Sequence, residues 1–462
     1  MTQLSFLTGC KTGNLDKLAH LLSQDLDFHD QESNYSTHDF HAFPAKFPPQ
    51  LPRKFILELT NPGDVVLDPM MGSGTTILEA YLSGRYAVGI DIDHLALKVS
   101  TAKVTPLDKQ QVIDTGKQIL HNASFATYIN KDDIKVGLEK ALDIETLNFI
   151  NKWFATSTQI ELFALANEIK KISNAYLRLF FEVVLSAIII TKSGGVSLAY
   201  DLAHTRPHLA KAIIDRYGKK IIIGNNVAGT PVSRMKLLTK TLRSPLEEFD
   251  KRFHQNLKSL LRPDSKLIKP AIVNADAQQM PLPDHSVDLI VTSPPYASNA
   301  IDYMRSHKFS LVWLGSSIKK LSKKRKEYIG GEVIHNIRFE KLPVIAEEVV
   351  SDIFKLDPKK GRALGRYYSE MTRTLREFYR VLKPGKAAIL VVGNSTMRGR
   401  DTKIHTCLAE IGKEIGFLVP MIGVRHLDRN RRMLPSGSTI NRDSQIQQRM
   451  HEEYVIGFYR AD

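Results

Sequence analysis

The run Asp68-Pro69-Met70-Met71-Gly72-Ser73-Gly74-Thr75-Thr76 lies between two short apolar segments, residues 64–67 and 86–90. A helical pattern continues from this run to Tyr81, and the second apolar segment ends at Asp91. Strand, glycine-rich turn, helix and strand form a βαβ unit, the usual start of a doubly wound parallel sheet. We therefore predict an α/β fold with a Rossmann-like sheet.

The glycine-rich turn predicts a ligand site at the end of the first strand. Gly72 and Gly74 would let the backbone approach a ligand where a Cβ would collide. The run is neither the G-x-G-x-x-G fingerprint nor a phosphate loop, because no lysine follows the second glycine. Asp91, at the end of the next strand, is placed to accept hydrogen bonds from both ribose hydroxyls of an adenosine. The pattern favours an adenosine ligand without phosphates.

This run resembles the S-adenosylmethionine motif of the DNA amino-methyltransferases, and Asp91 resembles the ribose-binding acid of that family. The segment 41–52, rich in proline, is similar to the family's cover over the methionine end of the cofactor. The resemblance implies a Rossmann-like S-adenosylmethionine-dependent methyltransferase sheet with a large helical insertion. The cofactor-binding residues that it implies are Phe43, Lys46, Asp68, Gly72, Ser73, Gly74, Thr75 and Asp91.

A second motif follows the apolar strand predicted over 287–291, which runs through Thr292 into Ser293-Pro294-Pro295-Tyr296. An exocyclic base amine is a poor nucleophile, so acceptors aimed at both N–H bonds favour the tetrahedral nitrogen of the transition state. We assign the Ser293 Oγ and the Pro294 carbonyl as those acceptors, because proline fixes φ and removes competing donors. Tyr296 would stack on a base flipped out of the duplex.

In the same family, loops that begin with Asp, a carboxylate, occur in adenine enzymes and often in cytosine enzymes, whereas Ser-Pro-Pro-Tyr resembles the loop of the cytosine-N4 subgroup. The implied catalytic residues are Ser293, Pro294, Pro295 and Tyr296. The resemblance therefore favours a site-specific cytosine-N4 methyltransferase of a restriction–modification system. An adenine-N6 DNA enzyme is the alternative, and an RNA or protein amino-methyltransferase can carry a similar loop.

Periodicity divides the chain into five segments. Two lie between the sheet strands: a mostly helical one, predicted to hold target recognition, and a basic one with the run Lys319–Lys326, predicted to contact DNA. After them come a predicted helix over 368–381, the turn 383–385 and strands over 387–392, 416–424 and 454–459. The segments are 1–104 with the cofactor motifs, 105–266 as the helical insertion, 267–296 with the catalytic strand and loop, 297–365 as the basic insertion, and 366–462 as the C-terminal part of the catalytic domain.

The composition limits the kinds of partner and site that the protein can have. The 462 residues carry a net charge of +15 and a pI near 9.5, which favours a polyanion such as double-stranded DNA, although a general solubility charge is the alternative. Only Cys10 and Cys407 occur, which excludes a disulfide framework or a cysteine-rich zinc site and fits a reducing cytoplasm. No apolar run approaches the roughly 20 residues of a membrane span, and we expect neither a metal nor an export signal. A cognate restriction endonuclease acting on the same site is an expected further partner.

Overall fold

The computed structural model describes residues 13–44, 46–191, 193–200, 202, 207–224, 229–262, 264, 267–297, 303–331, 338–427 and 452–462. A seven-stranded sheet forms its centre, and two small sheets flank it. The strands are β1 (Val65–Asp68), β2 (Tyr86–Asp91), β3 (Ala212–Ile214), β4 (Lys220–Ile222), β5 (Thr239–Thr241), β6 (Ala271–Asn274), β7 (Val287–Thr292), β8 (Leu382–Gly393), β9 (Thr396–Met397), β10 (Arg400–Asp401), β11 (Ile422–His426) and β12 (Glu452–Arg460).

The central sheet has the order β11-β12-β8-β7-β1-β2-β6. Its strands from β8 to β6 are parallel, whereas β12 pairs antiparallel with β8 and β11 antiparallel with β12. The chain leaves β1 toward β2 on one side, and β7 lies on the other, with Val66 opposite Leu289. Ligands of open α/β sheets bind at such a reversal of strand order, beyond the carboxyl ends of the strands. The predicted Rossmann-like α/β sheet with a large helical insertion is confirmed.

Helices cover both faces of the sheet and build the insertion. Asp93, Asp108, Asp143, Asn174, Ser244, Ser317 and Asp357 precede seven of them and accept backbone N–H bonds as N-caps. The helices are α1 (Gly13–Ser23), α2 (Gln50–Leu59), α3 (Thr75–Leu82), α4 (His94–Lys103), α5 (Lys109–Ile129), α6 (Lys131–Ala141), α7 (Ile144–Trp153), α8 (Thr156–Lys170), α9 (Ala175–Ile189), α10 (Val232–Leu237), α11 (Pro245–Lys258), α12 (Tyr303–Leu311), α13 (Ile318–Lys324), α14 (Val344–Leu356), α15 (Pro358–Val381) and α16 (Ile404–Ile415), with 3-10 turns at Ser36–Asp39 and Arg325–Glu327.

Three hydrophobic clusters hold these layers together. Helices α14, α15 and α16 bury one face of the sheet, and α1, α2 and α3 bury the other. The helical insertion has its own core, centred on Phe180, Phe181, Phe249 and Phe253, which continues through Phe309 of α12 to the catalytic domain. Among the residues described, no helix has the length and apolar character needed to cross a bilayer.

Two predicted elements near the C-terminus are wrong in their bounds. The strand predicted over 416–424 begins only at Ile422, because Gly416 adopts φ +119° and caps α16. The predicted turn 383–385 lies within β8, where Gly385 has φ +72° and the pairing with β7 shifts register. A short apolar pattern does not distinguish a strand from the residues that follow a capped helix.

The segment predicted as mostly helical also contains the small sheet of order β4-β3-β5, which periodicity missed. Its strands have three residues each, too few to show a period of two. Their pairing depends on contacts that are distant in sequence, as in Ala212 with Thr239.

Candidate active site

A cleft of about 850 Å³ opens at the carboxyl ends of β1, β2, β6 and β7. It brings the glycine-rich turn and the proline loop together, although the two motifs are more than two hundred residues apart in the chain. The predicted site residues that line it are Phe43, Lys46, Asp68, Gly72, Ser73, Thr75, Asp91, Ser293 and Pro295.

The two glycines of the turn serve different purposes. Both have positive φ, +46° at Gly72 and +72° at Gly74. A Cβ on Gly72 would lie 3.3 Å from Phe43 Cε1, at the wall of the cleft. A Cβ on Gly74 would lie 2.6 Å from the Oγ of Ser100, so α4 packs against that position. Gly74 does not border the described cleft. A glycine is needed there because α4 packs closely against it, and the prediction that a ligand approaches the backbone at Gly74 receives no support.

Asp91 holds the turn through its carboxylate. One oxygen accepts a hydrogen bond from the Gly72 N–H and the other from the Asp93 N–H, both at 2.8 Å. Each oxygen keeps a second lone pair for a ligand. Burial, with the charge of Asp93, raises the pKa of Asp91 to about 7. The carboxylate at this strand end is therefore oriented before any ligand arrives.

Asp68 connects the two motifs. Its Oδ1 accepts a hydrogen bond from the Thr292 hydroxyl at 2.6 Å and one from the Met70 N–H at 3.2 Å. Burial raises its pKa to about 6. Ser73 and Thr75, which follow in the turn, share a hydrogen bond at 3.1 Å between their hydroxyls. The end of β1 and the start of the proline loop are thus fixed to each other.

The segment around Phe43 covers the cleft. The Phe43 ring lies 6.0 Å from that of Tyr303, nearly parallel, and 4.9 Å from that of His307. The Lys46 ammonium donates to the carbonyls of His38 and His41, each at 3.1 Å, and burial lowers its pKa. Lys46 therefore fixes the cover segment, in addition to lining the cleft.

Only some residues of the proline loop line the cleft. Ser293 and Pro295 line it, whereas Pro294 is buried behind them. Tyr296 is half-buried outside the described cleft lining, and its hydroxyl donates to Glu453 at 3.1 Å. Glu453 also pairs with Arg425 on the neighbouring strand. The tyrosine ring is thereby held by a buried ion pair of the antiparallel strands.

Sequence reasoning missed several residues of the cleft. Asp276 lies two residues after the end of β6 and lines the cleft beside β2; an acid shortly after a short apolar run was the available signal. His307 and Tyr328 line it from the segment predicted to contact DNA, and Tyr303, which the sequence placed either at the pocket or at a helix start, lines the cleft at the first residue of α12. No sequence spacing relates these side chains to the glycine turn, because long-range packing alone brings them there.

Asp93 links His307 and Tyr328 to the central sheet. It caps α4 through the N–H groups of Leu95 and Ala96, and its other oxygen accepts from His307 Nδ1 at 2.8 Å and the Tyr328 hydroxyl at 2.5 Å. Burial alone would raise the pKa of Asp93, but His307 and Tyr328 outweigh burial and lower it. The loop after β2 therefore anchors one wall of the cleft.

The charge of the cleft indicates its ligand. Four carboxylates line it, those of Asp68, Asp91, Asp93 and Asp276. Its lysine, Lys46, is bound to backbone carbonyls. Such a lining disfavours phosphates and suits a ligand with ammonium and sulfonium charges. The residues present therefore fit S-adenosylmethionine.

Comparison with known proteins agrees with this geometry. The N6/N4 methyltransferase family model, described as DNA methylase, matches residues 23–102. The chain is 25% identical to the type II methyltransferase M.MvaI of Kocuria varians, over 91% of this chain and 90% of that protein. It is 23% identical to M.BsoBI of Geobacillus stearothermophilus, over 83% and 79%.

Among solved structures, a SAM-dependent methyltransferase of Methanosarcina mazei aligns over 88% of this chain and 98% of its own, at 12% identity and a TM-score of 0.29. That score is low, so the assignment rests on the sequence relatives and on the site. The family match spans the glycine turn and Asp91, and the relatives extend over nearly the whole chain. The site and these relatives together identify the chain as an S-adenosylmethionine-dependent DNA methyltransferase, similar to the type II enzymes of restriction–modification systems.

Proposed function

We propose that this enzyme methylates cytosine N4 within a specific site of double-stranded DNA. The observation that carries the proposal is the place of Ser293, which ends β7 and lines the same cleft as Asp91 and the glycine turn. A hydroxyl at this position, where related loops carry a carboxylate, favours cytosine N4. Adenine N6 is the alternative, and RNA as a substrate is the less favoured one.

The chain's own groups act on the amine. When bound, S-adenosylmethionine supplies an electrophilic methyl group on a positively charged sulfur. The Ser293 Oγ and the Pro294 carbonyl would accept the two N–H bonds of the amine and so stabilise the tetrahedral nitrogen. The buried Pro294 ring and the bond between Asp68 and Thr292 hold these acceptors in position. Binding energy is thus directed to the transition state.

Tyr296 would receive the flipped base. A base within a duplex cannot reach the cleft, so it must leave the stack, and an aromatic face offsets part of the lost stacking. Because Glu453 holds the tyrosine hydroxyl, the ring orientation is fixed before the base arrives. The stacking role requires the base to lie at the edge of the cleft, where the proline loop ends.

The basic segment supports DNA as the substrate. Lys323 and Lys326 are exposed, and the run that contains them leads directly into Tyr328 and Ile329 at the cleft. Phosphate contacts there would fix the position of the duplex without reading its sequence. We assign target recognition to residues 105–266 and propose, as a partner in the cytoplasm, a restriction endonuclease that cuts the same site.

The test is to identify the modified base. DNA methylated by the purified enzyme is digested to nucleosides and analysed by liquid chromatography and mass spectrometry. N4-methyl- and 5-methyldeoxycytidine have the same mass, so retention against both standards is required. We expect N4-methyldeoxycytidine. N6-methyldeoxyadenosine as the product would overturn the cytosine assignment, and methylation of RNA alone would overturn the DNA substrate.

A further inference from the structure

The hairpin of β3 and β4 projects an aromatic residue from a fixed turn. Asp215 Oδ1 accepts the N–H groups of Tyr217 and Lys219, both at 2.9 Å, and Gly218 takes φ +79°. The turn is therefore stabilised by local hydrogen bonds and a glycine suited to its geometry. At its tip the Tyr217 side chain is 84% exposed. A tyrosine held outward in this way loses apolar burial, and the Arg216 guanidinium lies 5.6 Å from its ring, so the tip combines an aromatic face with a positive charge.

The charge around this hairpin is strongly one-sided. Residues 207–243 contain eight lysines and arginines and a single acid, Asp215, so they carry +7 of the net +15 of the chain. The carboxylate of Asp215 is engaged in the turn, whereas Lys219 and Lys220 lie on the surface. Such a density of positive charge fits a polyanion.

The outer strand offers an exposed surface between these charges. All three residues of β4 are exposed, and Ile222 has 52% of its surface accessible. It is the edge strand of its sheet, and an exposed edge with apolar residues is a surface on which another molecule can bind. The major groove of DNA admits a two-stranded β-ribbon, where cations meet phosphates and apolar groups meet thymine methyls.

A chain of contacts fixes the small sheet relative to the cleft. The Lys240 ammonium of β5 donates to the carbonyls of Ala199, at 2.6 Å, and Ser193, in the loop that follows α9. Near the end of α9, the Ser186 hydroxyl and His41 Nε2 share a hydrogen bond at 2.9 Å. The His41 ring packs 6.4 Å from that of Phe43, which covers the cleft. These contacts link the small sheet to the segment around Phe43 that lines the cleft.

We propose that the β3–β4 hairpin enters the major groove of the DNA substrate and contributes to reading the target site, with Tyr217 and Lys219 at its tip. This inference rests on the proposed function. It assigns target recognition to the β3–β4 hairpin rather than to the whole insertion of residues 105–266. A protein partner for the same surface would have to be acidic, and it is an outcome of the test below.

The test compares two variants of the full-length enzyme. Tyr217→Ala with Lys219→Gln alters the tip, and Lys135→Gln with Lys140→Gln removes two exposed lysines from α6 of the same insertion as a matched control. The probes are a plasmid-derived duplex that the wild type methylates and an equally long duplex that it does not methylate. Binding to each duplex, kcat/KM for methyl transfer and S-adenosylmethionine affinity are measured.

We expect the tip variant to lose about tenfold or more in binding and kcat/KM on the methylated duplex, with smaller loss on the other duplex and unchanged cofactor affinity. The control should match the wild type. Equal binding of the methylated duplex by tip variant and wild type, including the case in which the tip binds an acidic protein instead, would overturn the hairpin proposal. Failure of the wild type to methylate any DNA would instead overturn the proposed function.

Discussion

The hydroxyl of Tyr296 donates a hydrogen bond to Glu453 at 3.1 Å, and Glu453 pairs in turn with Arg425 directly opposite on β11. The loop that follows a parallel strand is therefore held by two antiparallel strands from the far end of the chain. A phenylalanine would offer the same stacking face, so the hydroxyl serves to orient the ring. This arrangement separates the role of the ring from that of its hydroxyl.

Replacing Tyr296 by alanine removes the ring, and replacing it by phenylalanine removes only the hydroxyl. We expect Tyr296→Ala to leave cofactor affinity nearly unchanged and to lower single-turnover methyl transfer strongly, since stacking alone contributes about 1–3 kcal/mol. Tyr296→Phe should retain more of the rate. Labelled cofactor in single-turnover assays and calorimetry measure the two quantities. A wild-type rate for Tyr296→Ala would show that this loop is not the active site.

Ser293→Ala should slow methyl transfer with little change in DNA affinity, because the lost acceptor acts mainly in the transition state. Ser293→Asp restores an acceptor of the kind that related loops carry and is expected to keep partial activity. Single-turnover rates and DNA binding by fluorescence anisotropy test both variants. Full activity of Ser293→Ala would remove the serine from the mechanism.

Breaking the ion pair behind Tyr296 should destabilise the fold. Glu453→Gln leaves the Arg425 charge buried without its partner, and such a loss costs about 3–5 kcal/mol. Glu410→Gln is the matched control, because Glu410 pairs with Lys413 on an exposed helix face, where a pair contributes at most about 1 kcal/mol. Denaturant unfolding of both variants gives the comparison; equal midpoints would contradict the structural role of Glu453.

Cofactor affinity should depend on pH through Asp91. Its pKa of about 7 lies above the unfolded value, so the folded protein without ligand holds a proton that the unfolded chain has lost between about pH 4 and 7. The contribution of this group to the free energy of unfolding therefore decreases as pH rises through that interval. Only the ionised carboxylate offers both oxygens to ribose hydroxyls, so affinity should rise as pH approaches about 7 and then level off.

Calorimetry of S-adenosylmethionine binding across this range tests the expectation, with Asp91→Asn as the variant. Asp91→Asn should remove the part of the pH dependence of cofactor affinity that arises from this carboxylate. Ionisation of the ligand affects both proteins equally, so it drops out of the comparison with wild type. Asp91→Ala should weaken binding at least tenfold, corresponding to a loss of roughly 1.5–3 kcal/mol. Identical pH profiles for wild type and Asp91→Asn would exclude this carboxylate from the cofactor site.

Removing the charges of Lys323, Lys324 and Arg325 should weaken binding to all duplexes alike. If all three contact phosphates, the negative slope of log affinity against log salt concentration becomes shallower by up to about 3. The Lys324 Nζ also lies 3.1 Å from His94 Nε2, so its replacement changes a local contact as well as a charge. The single variant Lys323→Gln removes a surface charge without changing that contact. An unchanged slope would show that the run is a solvated surface, leaving DNA affinity to other basic residues.

The start of the sheet and the ends of its functional strands can be read from the amino-acid sequence. Gly72, Asp91 and Ser293 follow apolar runs directly, and because parallel strands place their carboxyl ends at one edge, their proximity could be predicted without coordinates. The resemblance of these local motifs to one family added the cofactor and the chemistry. Short-range patterns sufficed because strand, turn and helix propensity act over a few residues.

The other groups that complete the site become apparent only from the folded arrangement of the chain. Glu453 reaches Tyr296, and His307 reaches Asp93, through packing of segments more than one hundred residues apart, for which no spacing in the sequence gives a signal. The same holds for Gly74, whose need for a glycine comes from Ser100 of α4. Local chemistry can be predicted from the chain, but the burial that orients each side chain and shifts its pKa arises only when distant elements pack together.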